Sequence, residues 1–317
     1  MPAEIRKKIG GRKLDAVLIL LLLCFGLFLC RQALEPGMLV GLDSAGHFLK
    51  AKFLAEELLP AWKIDGWFPY WHLGLQLSQF YSIGFYLFTI AINIFSFGLL
   101  GIETSFKIAV MLSYALIAVT VFIMMRCFGY SSKSSFLSGL LALFVGSWYG
   151  GGIVGTFQTG LIPNTFGLML VPLAVGFFYL ALESKTKKHI VLSGLAFGIL
   201  AVAHIFSAFF TSIPVLLCFS LYCIRERRFK ENFIVLAKAC LVGALISAWW
   251  LVPFILKYAE HGYVTNWGVI PPWDFLNGLA DGRLSGSLFV SWLCIAGIIC
   301  SAWRRKFHDL LLSAAVL

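Results

Sequence analysis

The sequence predicts an all-α fold, a polytopic bundle of transmembrane helices, on three observations. Of the 317 residues 60% are hydrophobic and 13% charged, with a mean hydropathy of +0.89, whereas soluble domains carry about 25% charged residues. The apolar residues gather in runs long enough to cross about 30 Å of hydrocarbon. Finally, 17 of the 25 Lys and Arg lie in five short clusters between those runs. Basic residues used this way set topology, so the net charge of +10 does not call for a nucleic-acid partner.

The first element follows from Met1–Lys13, with Arg6, Lys7, Lys8, Arg12 and Lys13, and from the apolar run Leu14–Cys30. A signal peptide would look similar, but no A-x-A site follows, so we read a retained span with a cytoplasmic N-terminus. A first outer loop, 31–104, comes next. Within it Asp43 is placed to cap a helix running to about Leu59, which Pro60 stops, and the stretch Trp62–His72 has the Trp and Tyr density of a membrane interface. Residues 80–100 are apolar enough to cross, but a single crossing would put every later basic cluster outside. They are therefore expected to lie at the interface, or to enter and return on one side. Spans are then expected at 105–125, 134–148, 164–182, 189–204, 205–224, 232–254 and 287–303. The whole chain reads as one transmembrane domain, and its final apolar run, Asp309–Leu317, breaks off as it would in the N-terminal part of a longer chain.

This arrangement makes all five basic clusters cytoplasmic. It also gathers nine of the fifteen acids on the outer side, in the first loop and in a second, 257–286. The cytoplasmic loops are too short to build a site, so the outer face is the working face. The eight cysteines lie in or beside apolar runs without C-x2-C spacing and read as small hydrophobic residues.

The chemistry is expected at Gly41-Leu42-Asp43-Ser44-Ala45-Gly46-His47, just outside the first span, because one helical turn puts Asp43 and His47 on one side. Asp43 is either a plain N-cap or an acid that positions or deprotonates a ligand, and His47 either packs on its helix or joins that site. His72, His204 and His261, with Asp43 and His47, offer a scattered metal set. Lys257, His261 and Arg283 are candidates for holding a phosphate, although Lys257 also reads as a snorkelling helix-end lysine. Trp67, Trp71, His72 and Tyr81 are candidate substrate-binding residues, although an interfacial belt would give the same Trp and Tyr composition. Gly150–Gly155 lacks the Lys-Ser/Thr of a P-loop and reads as a tight turn.

Taken together, Asp43 after the first span, Trp62, Trp67-Phe68-Pro69, Gly74-Leu75 and Phe80-Tyr81 resemble the GT-C superfamily of polytopic glycosyltransferases. More narrowly, Asp43-x-x-x-His47, Trp67-Phe68-Pro69-x-Trp71-x-x-Gly74 and Gln79-Phe80-Tyr81 resemble bacterial membrane proteins labelled as related to 6-pyruvoyl-tetrahydropterin synthase; the likeness extends in topology to Ala248-Trp249-Trp250-x-x-Pro253, while its specific residues cover about 41–81. Nothing of that soluble pterin enzyme is visible in the chain.

The resemblance implies a hexosyltransferase in a bacterial-type inner or plasma membrane. It would move a sugar from a polyprenyl-phosphate-linked donor to a glycan, lipid or protein acceptor on the outer face, with Asp43 as general base. Oligosaccharyltransferase-type members place acidic metal ligands in the next outer loop, but here Tyr149–Asn164 contains no Asp or Glu, so no metal cofactor is expected. Two other readings stand beside this one. A transporter or flippase gated by Asp43 and His47 would favour charges within spans, where only Lys238 lies well inside. The other is a non-catalytic assembly subunit.

Overall fold

A computed structural model of the chain describes residues 12–70, 74–79, 81–146, 150–261, 292, 295–297 and 299, without the side chains of Arg12 and of residues 258–261. The architecture is mostly helical. Helix α1 (Arg12–Leu29) leads through a 3-10 turn, Arg31–Leu34, to α2 (Ser44–Phe53), which continues as a π-helical segment, Leu54–Leu58, and a 3-10 turn, Leu59–Ala61. A two-residue hairpin follows, β1 (Trp67–Phe68) antiparallel to β2 (Leu75–Gln76), with Trp67 opposite Gln76. Then come α3 (Gly84–Phe95), α4 (Ile102–Cys127), α5 (Ser132–Ala142), a second π-helical segment at Val154–Thr159, α6 (Ile162–Ser184), α7 (Lys187–Ala203), α8 (Ile205–Glu226) and α9 (Phe229–His261).

Among the described residues, four helices are long and apolar enough to cross a membrane: α4, α6, α8 and residues Phe229–Lys257 of α9. Of the other expected spans, the first is the helix α1 and 189–204 is α7, neither of them among these four, 287–303 lies mostly outside the described residues, and one is not a full helix. In place of a crossing over 134–148, α5 has 11 residues, a rise of about 17 Å against the roughly 30 Å of a hydrocarbon core. It stops where the Tyr114 hydroxyl of α4 donates to the carbonyl of Leu143 at 2.7 Å, satisfying one of the acceptors a helix end leaves open. Gly146, Gly150 and Gly151 lie outside any helix. Their helix propensity is poor, and the would-be Cβ of Gly146 falls 2.4 Å from the carbonyl oxygen of Gly151.

The two ends of the bundle differ in charge. At one end Asp15, near the start of α1, pairs with Arg126 at the end of α4 at 3.1 Å. There Phe128 stacks on Tyr179 of α6, which meets Tyr222 of α8 edge to face, and Lys185 bridges Glu226 and Glu231 at 3.1 and 3.0 Å. The clusters around Arg126, Lys185 and Arg225 thus share this end. At the opposite end Lys107, early in α4, donates to the Glu35 carbonyl at 2.9 Å, just past the end of α1. Residues 31–101 therefore leave and re-enter the bundle at that same end.

Packing at the opposite end uses small residues where backbones meet. A Cβ on Gly84 of α3 would lie 2.7 Å from the Ala203 Cα, and one on Gly167 of α6 the same distance from the His204 Cβ. Along α7, Gly194 and Gly198 let α9 approach, with would-be Cβ contacts of 2.5 Å to Val242 and 2.7 Å to the Gly243 oxygen. Such stripes of small residues are what brings helices together in lipid. Helix α2 itself packs against α3 and α4.

Candidate functional site

Asp43 is mounted by backbone rather than by its side chain. The second π-helical segment ends at Gly160, in the left-handed region at φ 84°, with carbonyls that need donors. The strap before α2 supplies them: Leu42 N donates to the Gln158 oxygen at 3.2 Å and Asp43 N to the Thr159 oxygen at 3.0 Å. Gly160 is required there, because a Cβ would stand 2.7 Å from Ser44 N and 2.9 Å from Asp43 N. Ser44, fully buried, closes the turn by donating its hydroxyl to the Val40 oxygen at 3.2 Å. Asp43 occupies the N-cap position but makes no side-chain capping hydrogen bond. Its carboxylate, half-buried, remains available for something other than the helix.

One face of α2 then runs Asp43, His47, Lys50, at steps of four and three residues that lie one above another. Lys50, although charged, is only 6% exposed. Its ammonium lies 4.7 Å from the centre of the Tyr81 ring, a cation–π contact strengthened by desolvation. Burial lowers the Lys50 pKa to about 8, and the negative charge of Asp43 works in the opposite direction. Burial followed by the charge of Asp43 raises the Tyr81 hydroxyl above its usual range. The acid, the lysine and the tyrosine thus form one electrostatic group.

His47 is 5% exposed and bonds through Nδ1 to the Tyr86 hydroxyl at 2.9 Å. Its ring lies 5.8 Å from Tyr81 and 6.2 Å from Tyr86. Burial, then the charges of Lys50 and His204, lower its pKa to about 3, so it is a neutral imidazole at any physiological pH.

His204 is the residue between α7 and α8, with extended backbone. Ser207 N donates to its Nδ1 at 3.3 Å, which fixes the proton on Nε2 when the ring is neutral. The Ser207 hydroxyl sits 2.8 Å from the same Nδ1 and 3.3 Å from Asn164 Oδ1. Burial lowers the His204 pKa to about 4.

Tyr81 is therefore brought to Asp43. Trp67 is not: it is 63% exposed on the hairpin, whose Phe68 packs edge-on against Phe53 at the far end of α2. Gly74, at φ 95°, leaves room for the Trp67 ring, which is the local reason for that part of the motif. Asp65, another outer acid, is occupied in holding the hairpin by accepting from Ser78 N at 3.0 Å and from the Gln76 amide. Lys257 lies on α9 one turn beyond Pro253, whose carbonyl accepts from Gln79 at 3.0 Å, at the same end of the bundle as Asp43. Trp71, His72, Arg283 and the side chain of His261 lie outside the described residues.

Lys50, Tyr86, Ser207 and Asn164 were missed as members of this cluster. Lys50 was legible from its phase with Asp43 and His47. The other three join through packing between distant helices, for which the chain carries no local signal.

These features define a class: a multi-pass helical membrane protein built on the GT-C oligosaccharyltransferase fold. The likeness is to solved structures of Archaeoglobus fulgidus oligosaccharyltransferase. The apo form has a TM-score of 0.61 at 14% identity over 93% of this chain and 46% of that one. AglB in complex with an inhibitory peptide and a dolichol-phosphate gives 0.60 at 13% identity, with the same coverage. A complex with Zn and sulfate gives 0.59 at 14% identity over 92% and 44%. The chain spans about half the length of these proteins.

The particular family is given by a match over residues 78–307 to the 6-pyruvoyl-tetrahydropterin synthase related domain, described as a membrane protein; the chain belongs to that family. No curated protein matches the chain.

The donor set around Asp43 does not suit a divalent ion. Beside Asp43 stand the buried cation Lys50 and two histidines, and residues 150–164 contribute no carboxylate. Among the described residues no three His, Cys, Asp or Glu are grouped to hold a metal.

Proposed function

We propose that the chain is a membrane glycosyltransferase that moves a sugar from a polyprenyl-phosphate-linked donor to a hydroxyl or amide acceptor at the outer face, with Asp43 as the general base. The observation that carries this reading is the half-buried carboxylate of Asp43. It is fixed by backbone at the membrane end of a GT-C fold, released from helix capping, and set against a buried lysine. The basic end of the bundle is the cytoplasmic one by the positive-inside rule, which puts Asp43 on the outside.

In the reaction, Asp43 takes the proton of the acceptor as its heteroatom attacks the anomeric carbon. The bond from that carbon to the phosphate oxygen breaks, and the phosphate leaves with the electron pair. His47, neutral and bound to Tyr86, supports the wall of the site and supplies no charge.

The test is release of labelled sugar from a polyprenyl-phosphate donor by the full-length protein in proteoliposomes. Transfer is expected to survive EDTA, since the residues around Asp43 make a poor metal site. Loss with EDTA and recovery with Mn²⁺ or Mg²⁺ would contradict this. If no donor is consumed while a solute flux depends on Asp43, the protein is a transporter instead.

A further inference from the structure

We infer that Lys50 is the seat of a phosphate, the headgroup of the lipid-linked donor, held across the reaction centre from Asp43. The inference rests on the glycosyl-transfer reading of the Asp43 site and adds to it the cation that reading lacks.

Geometry is the first support. Lys50 follows Asp43 by seven residues on one face of α2, a rise of about 10 Å. A base and a leaving phosphate on opposite sides of an anomeric carbon need a separation of this order, because the acceptor atom, the carbon and the bridging oxygen lie between them. Lys50 lies over the Tyr81 ring and the charge of Asp43 acts on the Tyr81 hydroxyl, so the three side chains belong to one site.

Charge is the second support. A lysine 6% exposed is rare in a folded core unless something recovers its desolvation. Its ammonium lies over the Tyr81 ring, and it exchanges charge effects with the Asp43 carboxylate and the His47 ring. A core lysine kept only for stability would be replaceable by an apolar side chain, whereas a phosphate needs the ammonium. His204, whose Nδ1 accepts from Ser207 N, carries its proton on Nε2 and lies near enough to His47 to help lower its pKa.

The experiment measures binding, separately from turnover, on purified full-length protein in detergent. The probes are farnesyl phosphate, neutral farnesol and inorganic phosphate, and the proteins are wild type, Asp43→Asn, Lys50→Arg and Lys50→Met. The expected result is that farnesyl phosphate binds Lys50→Met 10–100-fold more weakly than wild type, the range for a charge-assisted hydrogen bond, while Asp43→Asn still binds it. Lys50→Arg should restore most of the affinity.

Equal binding by Lys50→Met and wild type, or equal binding of farnesol and farnesyl phosphate, would overturn the assignment. Inorganic phosphate binding as tightly as farnesyl phosphate would overturn the donor headgroup as its source. Should Lys50→Met fail to fold, the wild type decides: a farnesyl analogue bearing a sulfonyl fluoride must label Lys50, with protection by farnesyl phosphate, and labelling elsewhere only would sink the idea. Lysine-dependent binding without any sugar transfer leaves the phosphate seat standing and removes the glycosyltransferase reading. Transfer without lysine-dependent binding does the reverse.

Discussion

At the scale of single residues, the site is a case of burial deciding charge. His47 and His204 have pKa values lowered to about 3 and about 4, with burial the leading cause for both, while the unfolded chain titrates near 6.5. Between these values the unfolded state binds more protons, so stability rises with pH there; it is fully present above about 6.5 and is lost as the pH falls. Each pH unit below 6.5 costs about 1.4 kcal/mol per histidine until its folded value is reached. A melting temperature that falls steeply from pH 7 to pH 5, and less steeply in His47→Gln, is the expected outcome. That Asp43 and His47 lie on one side of a helix was legible in the sequence as a one-turn spacing. That His47 turns to Tyr86 was not, because the two residues are 39 positions apart and meet only through the packing of α2 on α3.

At the scale of elements, what holds Asp43 is the junction of two helix ends. The glycine-rich piece 150–155 reads as a tight turn, and this is right in part: Gly152 has φ 69°. But it leads into the π-helical segment whose last carbonyls bind the Asp43 strap, and such segments recur at functional sites. Gly160→Ala is the sharpest test of that junction. The new methyl would be strained at φ 84° and would collide with Ser44 N, a cost of about 1–3 kcal/mol. The variant should melt lower and lose transfer out of proportion to its remaining folded fraction. Activity per folded molecule equal to wild type would show that the strap does not position Asp43. The shortness of α5 was not legible in the same way, since hydropathy counts apolar residues and does not register a helix that stops at mid-bundle to meet the Tyr114 hydroxyl.

For the whole molecule, composition and the basic clusters were enough to read a polytopic helical bundle, because bilayer energetics act on every residue of a span. The placement of residues 31–101 at one end was readable only as a conflict in charge; in the structure it follows from the Glu35–Lys107 and Asp15–Arg126 contacts at opposite ends. Orientation is tested by cysteine labelling in a background without native cysteines. Position 62, where Trp62 is 98% exposed, should react with an impermeant reagent in intact cells, and exposed Lys187→Cys only after lysis. The reverse pattern would place the Asp43 end inside.

The central claim concerns one carboxylate, and Asp43→Asn examines it with little structural disturbance. Asn keeps the size of Asp, and since the Asp43 side chain makes no capping bond, the helix loses none. Sugar release from a labelled polyprenyl-phosphate donor should fall roughly 10²–10⁴-fold, the usual contribution of a positioned general base, while melting temperature and membrane insertion stay at wild-type values. Wild-type turnover by Asp43→Asn would contradict the account.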